Sequence, residues 1–299
     1  MAMYRISENN TQDMQRIGLQ MLLFFDRFCR EHGLTWYFCG GCCIGTARNG
    51  KFIPWDDDVD VFMPREDYEK LKRLWVNTEQ YAIQFPSGTN ITKNQFVTIH
   101  DNHTAFIKTF QKDLDINHGI ALDILPLDGC PQGWKRTMQV FWTLVYSLYV
   151  IGEAPKNHGK LVWAAGIIAL AAVPFASWRY QIWRFCEKKM SRHPISSCRY
   201  ITELCSGPRA MRYRYPRECF GSPLRMEFEG HLLCMPSDYD TYLTIAFGDY
   251  KTLPPESQRV CHHEHEWIDT EHSYKIYRGK KYAVKSKRCL LPFKNIQKR

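Results

Sequence analysis

The chain has 299 residues, of which 44% are hydrophobic and 14% aromatic, which excludes a disordered protein and predicts a large folded core. Its formal net charge is +9; residues 275–299 hold ten Lys and Arg and no Asp or Glu, so the other 274 residues carry about −1. This basic tail is expected to attract anionic surfaces, or else to be a solvated terminus. Nucleic acid is not an expected partner, because no recognised binding module accompanies the charge.

The first ten residues contain no apolar stretch of the kind found in signal peptides and N-terminal anchors. We therefore expect a cytoplasmic protein. The twelve cysteines are then expected to remain thiols, most of them serving as packing residues.

The N-terminal third begins with a predicted helix at residues 11–32, where apolar residues recur at helical spacing. A short strand is predicted at Thr35–Cys39, followed by Gly40 and Gly41 and by a helical turn at Ile44–Arg48. Glycines after a strand allow backbone N–H groups to approach a phosphate closely, and a helix start adds further donors. This segment is therefore a candidate phosphate-binding loop.

Four carboxylates occupy five positions before and within the next predicted strand, namely Asp56, Asp57, Asp58 and Asp60. Because side chains alternate along a strand, Asp58 and Asp60 are expected to project from one face. Two like charges on an otherwise buried strand repel each other unless a cation lies between them. Oxygen ligands of this type suit Mg²⁺ or Mn²⁺, which bind carboxylates together with substrate phosphates. The alternative is an acidic turn that begins a strand and binds no metal.

A helix is predicted from Pro64 to Trp75, and strands are predicted at 81–85, 96–100, 104–110 and 120–125. Asp123 lies inside the last of these apolar strands. A lone buried carboxylate needs a partner or a metal, so Asp123 is the predicted third carboxylate beside Asp58 and Asp60. Its alternative role is a structural Asp that caps a turn.

Two runs without a charged residue, 137–152 and 161–178, lie in the middle of the chain. Each is shorter than the ~20 apolar residues that a membrane-spanning helix needs. Two interpretations remain open, a helical hairpin buried against the catalytic domain and a hairpin that dips into a bilayer interface.

A glycine pair after a strand, followed by Asp-x-Asp on the next strand, is the layout of the polymerase-β-like nucleotidyltransferases. More specifically, the chain resembles the LicD family of phosphocholine transferases, to which fukutin and fukutin-related protein belong, over about residues 14–265. The motifs that carry the resemblance are Gly40-Gly41, Gly45–Arg48, Gly50–Asp56, Asp58-Val59-Asp60, His118–Gly129, Phe247–Tyr250 and Leu253–Pro255. The chain departs from the family pattern at Cys42, where a small hydroxyl residue usually follows the glycine pair.

The resemblance implies an α/β (α+β) fold with a polymerase-β-like nucleotidyltransferase core, a mixed sheet and an appended helical region. We expect a catalytic core at residues 1–130, a helical insertion with membrane contact at 131–215, and a C-terminal family region with the basic tail at 216–299. The implied reaction transfers a phospho-alcohol, expected to be phosphocholine, from a CDP-linked donor to a hydroxyl of a cell-surface glycan or lipid-linked glycan. This would take place at the inner face of the cell membrane.

The residues with implied catalytic or metal-binding roles are Asp56, Asp58, Asp60 and Asp123, which would hold Mg²⁺ or Mn²⁺, with Asp123 as the candidate base. The predicted donor-binding residues are Gly40, Gly41, Arg48, Lys51 and Trp55. The glycines would contact the diphosphate, and the two cations would neutralise its oxygens. Trp55 would stack on the cytosine base or the choline ammonium. Solvated surface is the alternative for the cations, and core packing for Trp55.

Other functions remain open. The same acids would serve a nucleotidyltransferase that transfers NMP from an NTP, and a non-catalytic membrane-associated scaffold would need none of them. Cys39 and Cys42 form a Cys-x-x-Cys pattern that would suit a dithiol or a zinc half-site. Cys261–His265 has the residue types of a zinc site, although helical spacing would separate its ligands. The resemblance includes histidines in this segment, which are candidates for substrate contact.

Overall fold

The computed structural model describes residues 8–88, 91–156, 158–261 and 263–284. His262 and residues 285–299, which include most of the basic tail, lie outside the described residues. The expected role of the tail therefore stays a prediction.

Seven helices and eleven strands lie within these ranges. The helices are α1 (Glu8–Glu31), α2 (Gly40–Asn49), α3 (Arg65–Leu74), α4 (Trp134–Ile151), α5 (Lys160–Ala172), α6 (Ala176–Met190) and α7 (Tyr239–Phe247). The strands are β1 (Tyr37–Phe38), β2 (Val59–Pro64), β3 (Tyr81–Gln84), β4 (Val97–Asp101), β5 (Ala105–Lys108), β6 (Ala121–Cys130), β7 (Tyr200–Glu203), β8 (Tyr215–Pro216), β9 (Leu224–Phe228), β10 (His231–Met235) and β11 (His265–Asp269).

The central sheet is mixed and has the order β1-β2-β6-β4-β3, with β7 and β8 continuing from the second half of β6. β2 and β6 run parallel, and the other strand pairs of this sheet are antiparallel. The parallel register sets Asp60 directly opposite Asp123. Separate two-stranded pairs are formed by β9 with β10 and by β11 with β5. Helices around a mixed sheet confirm the predicted α/β fold class.

Helix α1 covers this sheet with the apolar stripe that the sequence predicted, although it begins at residue 8 rather than 11. Its buried residues include Met14, Ile17, Met21, Leu22 and Phe25. Gly18 lies on the same face, and a Cβ there would come within 2.7 Å of Val59 Cγ2. The glycine therefore permits close packing of α1 on β2, which offsets its low helix propensity.

Three further predictions of local structure need correction. The strand predicted at Thr35–Cys39 is only Tyr37–Phe38, because the backbone N–H of Thr35 donates to the Asp67 carboxylate instead of joining the sheet. The helical turn predicted at Ile44–Arg48 belongs to the longer helix α2, whose first residues are the two glycines. The last predicted strand extends to Cys130, because β7 pairs with its second half.

The middle of the chain is helical. Helices α4 and α6 pack on each other around a second apolar core, which includes Tyr146, Trp183, Cys186 and Met190. Helix α5 does not join that core, since Gly166 is the one buried residue among its thirteen. The interpretation as a fully buried hairpin is therefore wrong for α5. No single described helix is long and apolar enough to cross a bilayer, whereas α5 and α6 together meet that test as a pair bent by 118°. The proposed division into three regions stays a prediction.

Candidate active site

Five aspartates meet at one edge of the parallel pair β2–β6. Asp56, Asp57 and Asp58 lie in the segment that enters β2, Asp60 is the second residue of β2, and Asp123 is the third residue of β6. One carboxylate oxygen from each of Asp56, Asp57 and Asp58 lies within 4.8 Å of the others. We call these five residues the acid cluster.

Several carboxylate oxygens of the acid cluster are buried without a hydrogen bond. Oδ2 of Asp56, Oδ2 of Asp57 and Oδ1 of Asp123 have no partner among the described residues. Buried polar atoms are nearly always satisfied in folded proteins, so three such oxygens at one place indicate a missing ligand. A set made only of carboxylate oxygens suits Mg²⁺ or Mn²⁺, and the residues therefore fit the ion expected from the sequence.

Gly41 makes room for the acid cluster. A Cβ at this position would lie 1.8 Å from Oδ2 of Asp56, closer than any side chain could remain. The second glycine of the pair therefore allows the Asp56 carboxylate to pack directly on the start of α2. This steric role is additional to the phosphate contact that the sequence predicted for it.

The carboxylates raise one another's pKa values. Burial, together with the charges of Asp58 and Asp57, raises the pKa of Asp56 to about 8. Burial also raises the pKa of Asp58. The pKa of Asp60 lies well above its ordinary value because of burial and the charges of Asp58 and Asp123. A bound cation would reverse this balance by favouring the ionised carboxylates.

Two cationic side chains face these five acids. Nζ of Lys108, at the end of β5, lies 3.6 Å from Oδ2 of Asp123. Burial alone would lower the pKa of Lys108, but the charges of Asp123 and Asp58 outweigh it and raise that pKa. Lys108 thus supplies one positive charge beside Asp123.

His263 is the second cationic partner. Its Nδ1 is hydrogen-bonded to Oδ1 of Asp57 at 3.1 Å, and its Nε2 lies 3.6 Å from Oδ2 of Asp58. Burial would lower the pKa of His263, but the hydrogen bond with Asp57 and the charge of Asp58 raise it. The pairing of β11 with β5 holds this segment beside Lys108, since His265 is the register partner of Lys108.

The predicted cationic donor ligands Arg48 and Lys51 lie away from the acid cluster. The guanidinium of Arg48 donates to the backbone carbonyls of Tyr250 and Thr252 at 2.7 and 3.0 Å. Arg48 and Lys51 line a cavity of about 440 Å³ between the end of α2 and the β9–β10 turn. Arg48 is seven residues beyond Gly41, or about 10 Å along the helix axis. The predicted contact of Arg48 and Lys51 with the donor diphosphate therefore stays a prediction.

Gly40 and Trp55, which are also predicted donor-binding residues, lie near the acids. The backbone N–H of the first and the ring of the second already have contacts within the protein. The backbone N–H of Gly40 donates to the hydroxyl of Tyr242 at 3.1 Å. The guanidinium of Arg259 lies over the half-buried ring of Trp55, 5.6 Å from its centroid. A choline ammonium at that face of Trp55 would have to displace Arg259.

The cysteines of these two motifs are packed among other residues of the fold. Ten of the eleven described cysteines are buried, and none of the eleven is in a disulfide. Burial raises the pKa values of Cys39 and Cys42 well above the ordinary thiol value, which opposes a reactive dithiol. Cys261 lies 3.7 Å from the hydroxyl of Thr11, and neither Cys261 nor His263 is in a helix. The ring of His263 contacts Asp57. His262 lies outside the described residues.

Sequence reasoning did not assign Asp57 or Lys108 to the site. Strand alternation selected Asp58 and Asp60, but β2 begins at Val59, so Asp57 and Asp58 both precede the strand and alternation applies to neither. Lys108 carried a usable signal, because it is a single cation after the apolar run Ala105–Ile107 in a predicted strand.

Comparisons with known proteins agree with this site. Residues 33–142 match the model of the LicD/FKTN/FKRP nucleotidyltransferase domain. The chain is 25% identical over 268 residues to the lipopolysaccharide cholinephosphotransferase LicD of Haemophilus influenzae, which covers 85% of this chain and 96% of that protein. Mannosyltransferase regulator 4 of Saccharomyces cerevisiae is 25% identical over 125 residues, which is 40% of this chain and 10% of that protein. The segment matched to the family contains the whole acid cluster and Lys108. Residues 33–142 therefore hold a nucleotidyltransferase domain of the LicD type.

Proposed function

We propose that this protein transfers phosphocholine from a CDP-linked donor to a hydroxyl of a cell-surface or lipid-linked glycan, with Mg²⁺ or Mn²⁺, at the inner face of the cell membrane. The match of residues 33–142 to the family's domain model and the Haemophilus influenzae relative support a transferase of the lipopolysaccharide phosphocholine type. The observation that carries the proposal is the convergence of five carboxylates, three of them with buried oxygens that lack a partner within the described part of the chain.

Asp56, Asp57 and Asp58 would hold the ion, because their oxygens are already grouped, and Asp60 and Asp123 would contribute from the neighbouring strands. When bound, Mg²⁺ would neutralise the donor diphosphate and the charge that develops on the departing CMP. His263 would orient Asp57 and Asp58 through its two ring nitrogens.

Asp123 is the proposed general base. Its Oδ1 has no partner among the described residues, so it can accept the proton of the acceptor hydroxyl. The acceptor oxygen then bonds to the phosphorus that bears choline, the bond from that phosphorus to CMP breaks, and CMP leaves with the electron pair. Lys108, on the other oxygen of Asp123, would hold this carboxylate in its orientation before the transfer.

Release of CMP from CDP-choline tests the proposal. The purified chain is incubated with CDP-choline, Mg²⁺ and a glycan acceptor, and Asp60→Asn is compared with Asp113→Asn, a matched change at an exposed aspartate. We expect Asp60→Asn to abolish CMP release and to remove the thermal stabilisation by Mg²⁺, while Asp113→Asn changes neither. Substantial turnover by Asp60→Asn would refute the metal assignment.

A nucleotidyltransferase is the second candidate, favoured by the description of the matched domain. Such an enzyme would attack the other phosphorus, so CTP would yield pyrophosphate and CDP-choline would not yield CMP. If the chain shows neither reaction and no stabilisation by Mg²⁺, a non-catalytic scaffold becomes the better explanation.

A further inference from the structure

Helix α5 and the bend after it form an exposed apolar surface, residues 161–178, which we call the apolar arm. Leu161 is 88% exposed, Ile168 69% and Trp178 58%. Other exposed members of the apolar arm are Val162, Trp163, Ile167 and Phe175. Every residue from Leu161 to Ala172 is apolar, so α5 has no polar face to present to water. A continuous apolar surface of this kind marks an interaction site.

The charges around the apolar arm select an anionic partner. Residues 154–192 contain seven Lys and Arg and one acid, Glu187. That acid is paired with Arg184. Lys156 and Lys160 are exposed directly before the arm, and Lys188 and Arg192 are exposed at the far end of α6. Apolar side chains bordered by basic ones suit the surface of an anionic bilayer.

At the bend after α5, several backbone carbonyls accept hydrogen bonds from side chains instead of needing water. Arg179 donates to the carbonyls of Val173 and Leu170 at 2.7 and 2.9 Å, and the hydroxyl of Tyr149 donates to the carbonyl of Ala169 at 3.1 Å. These carbonyls end α5 and would otherwise need water. In lipid such groups must be satisfied internally, whereas on a wetted surface they need no protein donor.

We infer that the apolar arm docks this protein on an anionic phospholipid surface, with α5 lying in the interface. Its thirteen residues measure about 20 Å, against a hydrocarbon core of about 30 Å. Trp163 and Trp178 are residues that favour the boundary between headgroups and acyl chains. This inference rests on exposure, charge and backbone pairing and is independent of the proposed transfer reaction.

Flotation of the full chain with vesicles tests the inference. The vesicles contain phosphatidylcholine alone or with phosphatidylglycerol, at about 50 mM and about 500 mM salt. We expect binding that requires phosphatidylglycerol and weakens in high salt without disappearing, because salt screens the basic residues but not the apolar contact. The variant Ile168→Asp should lower vesicle affinity about tenfold or more.

The matched control is Val76→Asp, since Val76 is 78% exposed and lies after α3, outside the apolar arm. It should bind vesicles like the unmodified chain. Three outcomes would overturn the inference: equal effects of the two variants, binding that vanishes fully at high salt, or no vesicle binding together with a dimer that Ile168→Asp dissociates. The last outcome, measured by sedimentation velocity, would assign the arm to a second copy of the chain. None of these outcomes alters the CMP assay.

Discussion

Replacement of Gly41 by alanine should disable the acid cluster and leave the fold intact. The new Cβ would lie 1.8 Å from Oδ2 and 2.7 Å from Cγ of Asp56. To reach a separation of about 3.0 Å, the carboxylate oxygen must move by at least about 1.2 Å. A displacement of about 1 Å in a catalytic group lowers rates about 100-fold. We therefore expect CMP release to fall by about two orders of magnitude.

The same substitution should not destabilise the protein without metal. Gly41 has a backbone conformation that alanine adopts, and it lies in the first turn of α2, where Gly→Ala commonly adds about 0.5–1 kcal/mol of stability. Moving the Asp56 carboxylate outward also relieves its repulsion with Asp57 and Asp58. Unfolding in denaturant should therefore show equal or higher stability without Mg²⁺ and a smaller gain when Mg²⁺ is added.

The mechanism of that effect is tested by a double-mutant cycle. If Gly41→Ala acts by displacing Asp56, it should have little further effect on CMP release in an Asp56→Ala background. Kinetics of the two single variants and the double variant measure the coupling. Normal turnover and a normal Mg²⁺ response of Gly41→Ala, or effects that simply add in the double variant, would refute the reasoning.

Three further perturbations probe the site. Without metal, the free energy of unfolding should fall as pH rises from about 4 to about 8, because the raised pKa of Asp56 means that the folded state favours the protonated carboxyl. Denaturation measured across this pH range should show a flatter dependence for Asp56→Asn. Lys108→Met should lower kcat about 10- to 100-fold with little change in KM for CDP-choline, since it removes the cation beside Asp123. An unchanged kcat in steady-state kinetics would contradict this expectation. Cys42→Thr should retain most activity with or without reductant, because the thiol is buried against the Asp58 carbonyl and serves packing. Loss of activity when the unmodified chain is reduced would contradict this packing role.

The parts of the site that the sequence predicted come from local patterns. Alternation along β2 and the isolated acid in β6 were sufficient to bring Asp60 and Asp123 together, because both features are set by strand geometry. His263 was visible only as a member of a histidine cluster. Its contact with Asp57 joins residues 206 positions apart, and no local periodicity encodes such a contact.

The surroundings of α5 could not be predicted for a related reason. An apolar run without charges has the same sequence pattern in a buried helix and in an exposed one. What decides between them is whether another element covers it, and in this fold α4 and α6 pack on each other instead. Likewise, Arg48 lies close to the glycine pair in sequence, but helix α2 separates it from Gly41 by about 10 Å along the helix axis.

The two buried aspartates of β6, Asp123 and Asp128, have different roles: Asp128 stabilises the fold, and Asp123 is expected to contact a ligand. Asp128 accepts two hydrogen bonds from the Arg65 guanidinium at 2.9 and 2.7 Å, whereas Asp123 retains an oxygen without a partner among the described residues. Breaking a buried ion pair leaves a charge uncompensated, at about 3–5 kcal/mol. Asp128→Asn should therefore lower the melting temperature and leave the Mg²⁺ response intact. Asp123→Asn should abolish CMP release with a smaller loss of stability, since the charges of Asp58 and Asp60 still act on the Lys108 ammonium that pairs with Asp123. Measuring melting temperature and CMP release for both variants tests this division, and similar behaviour of the two would contradict it.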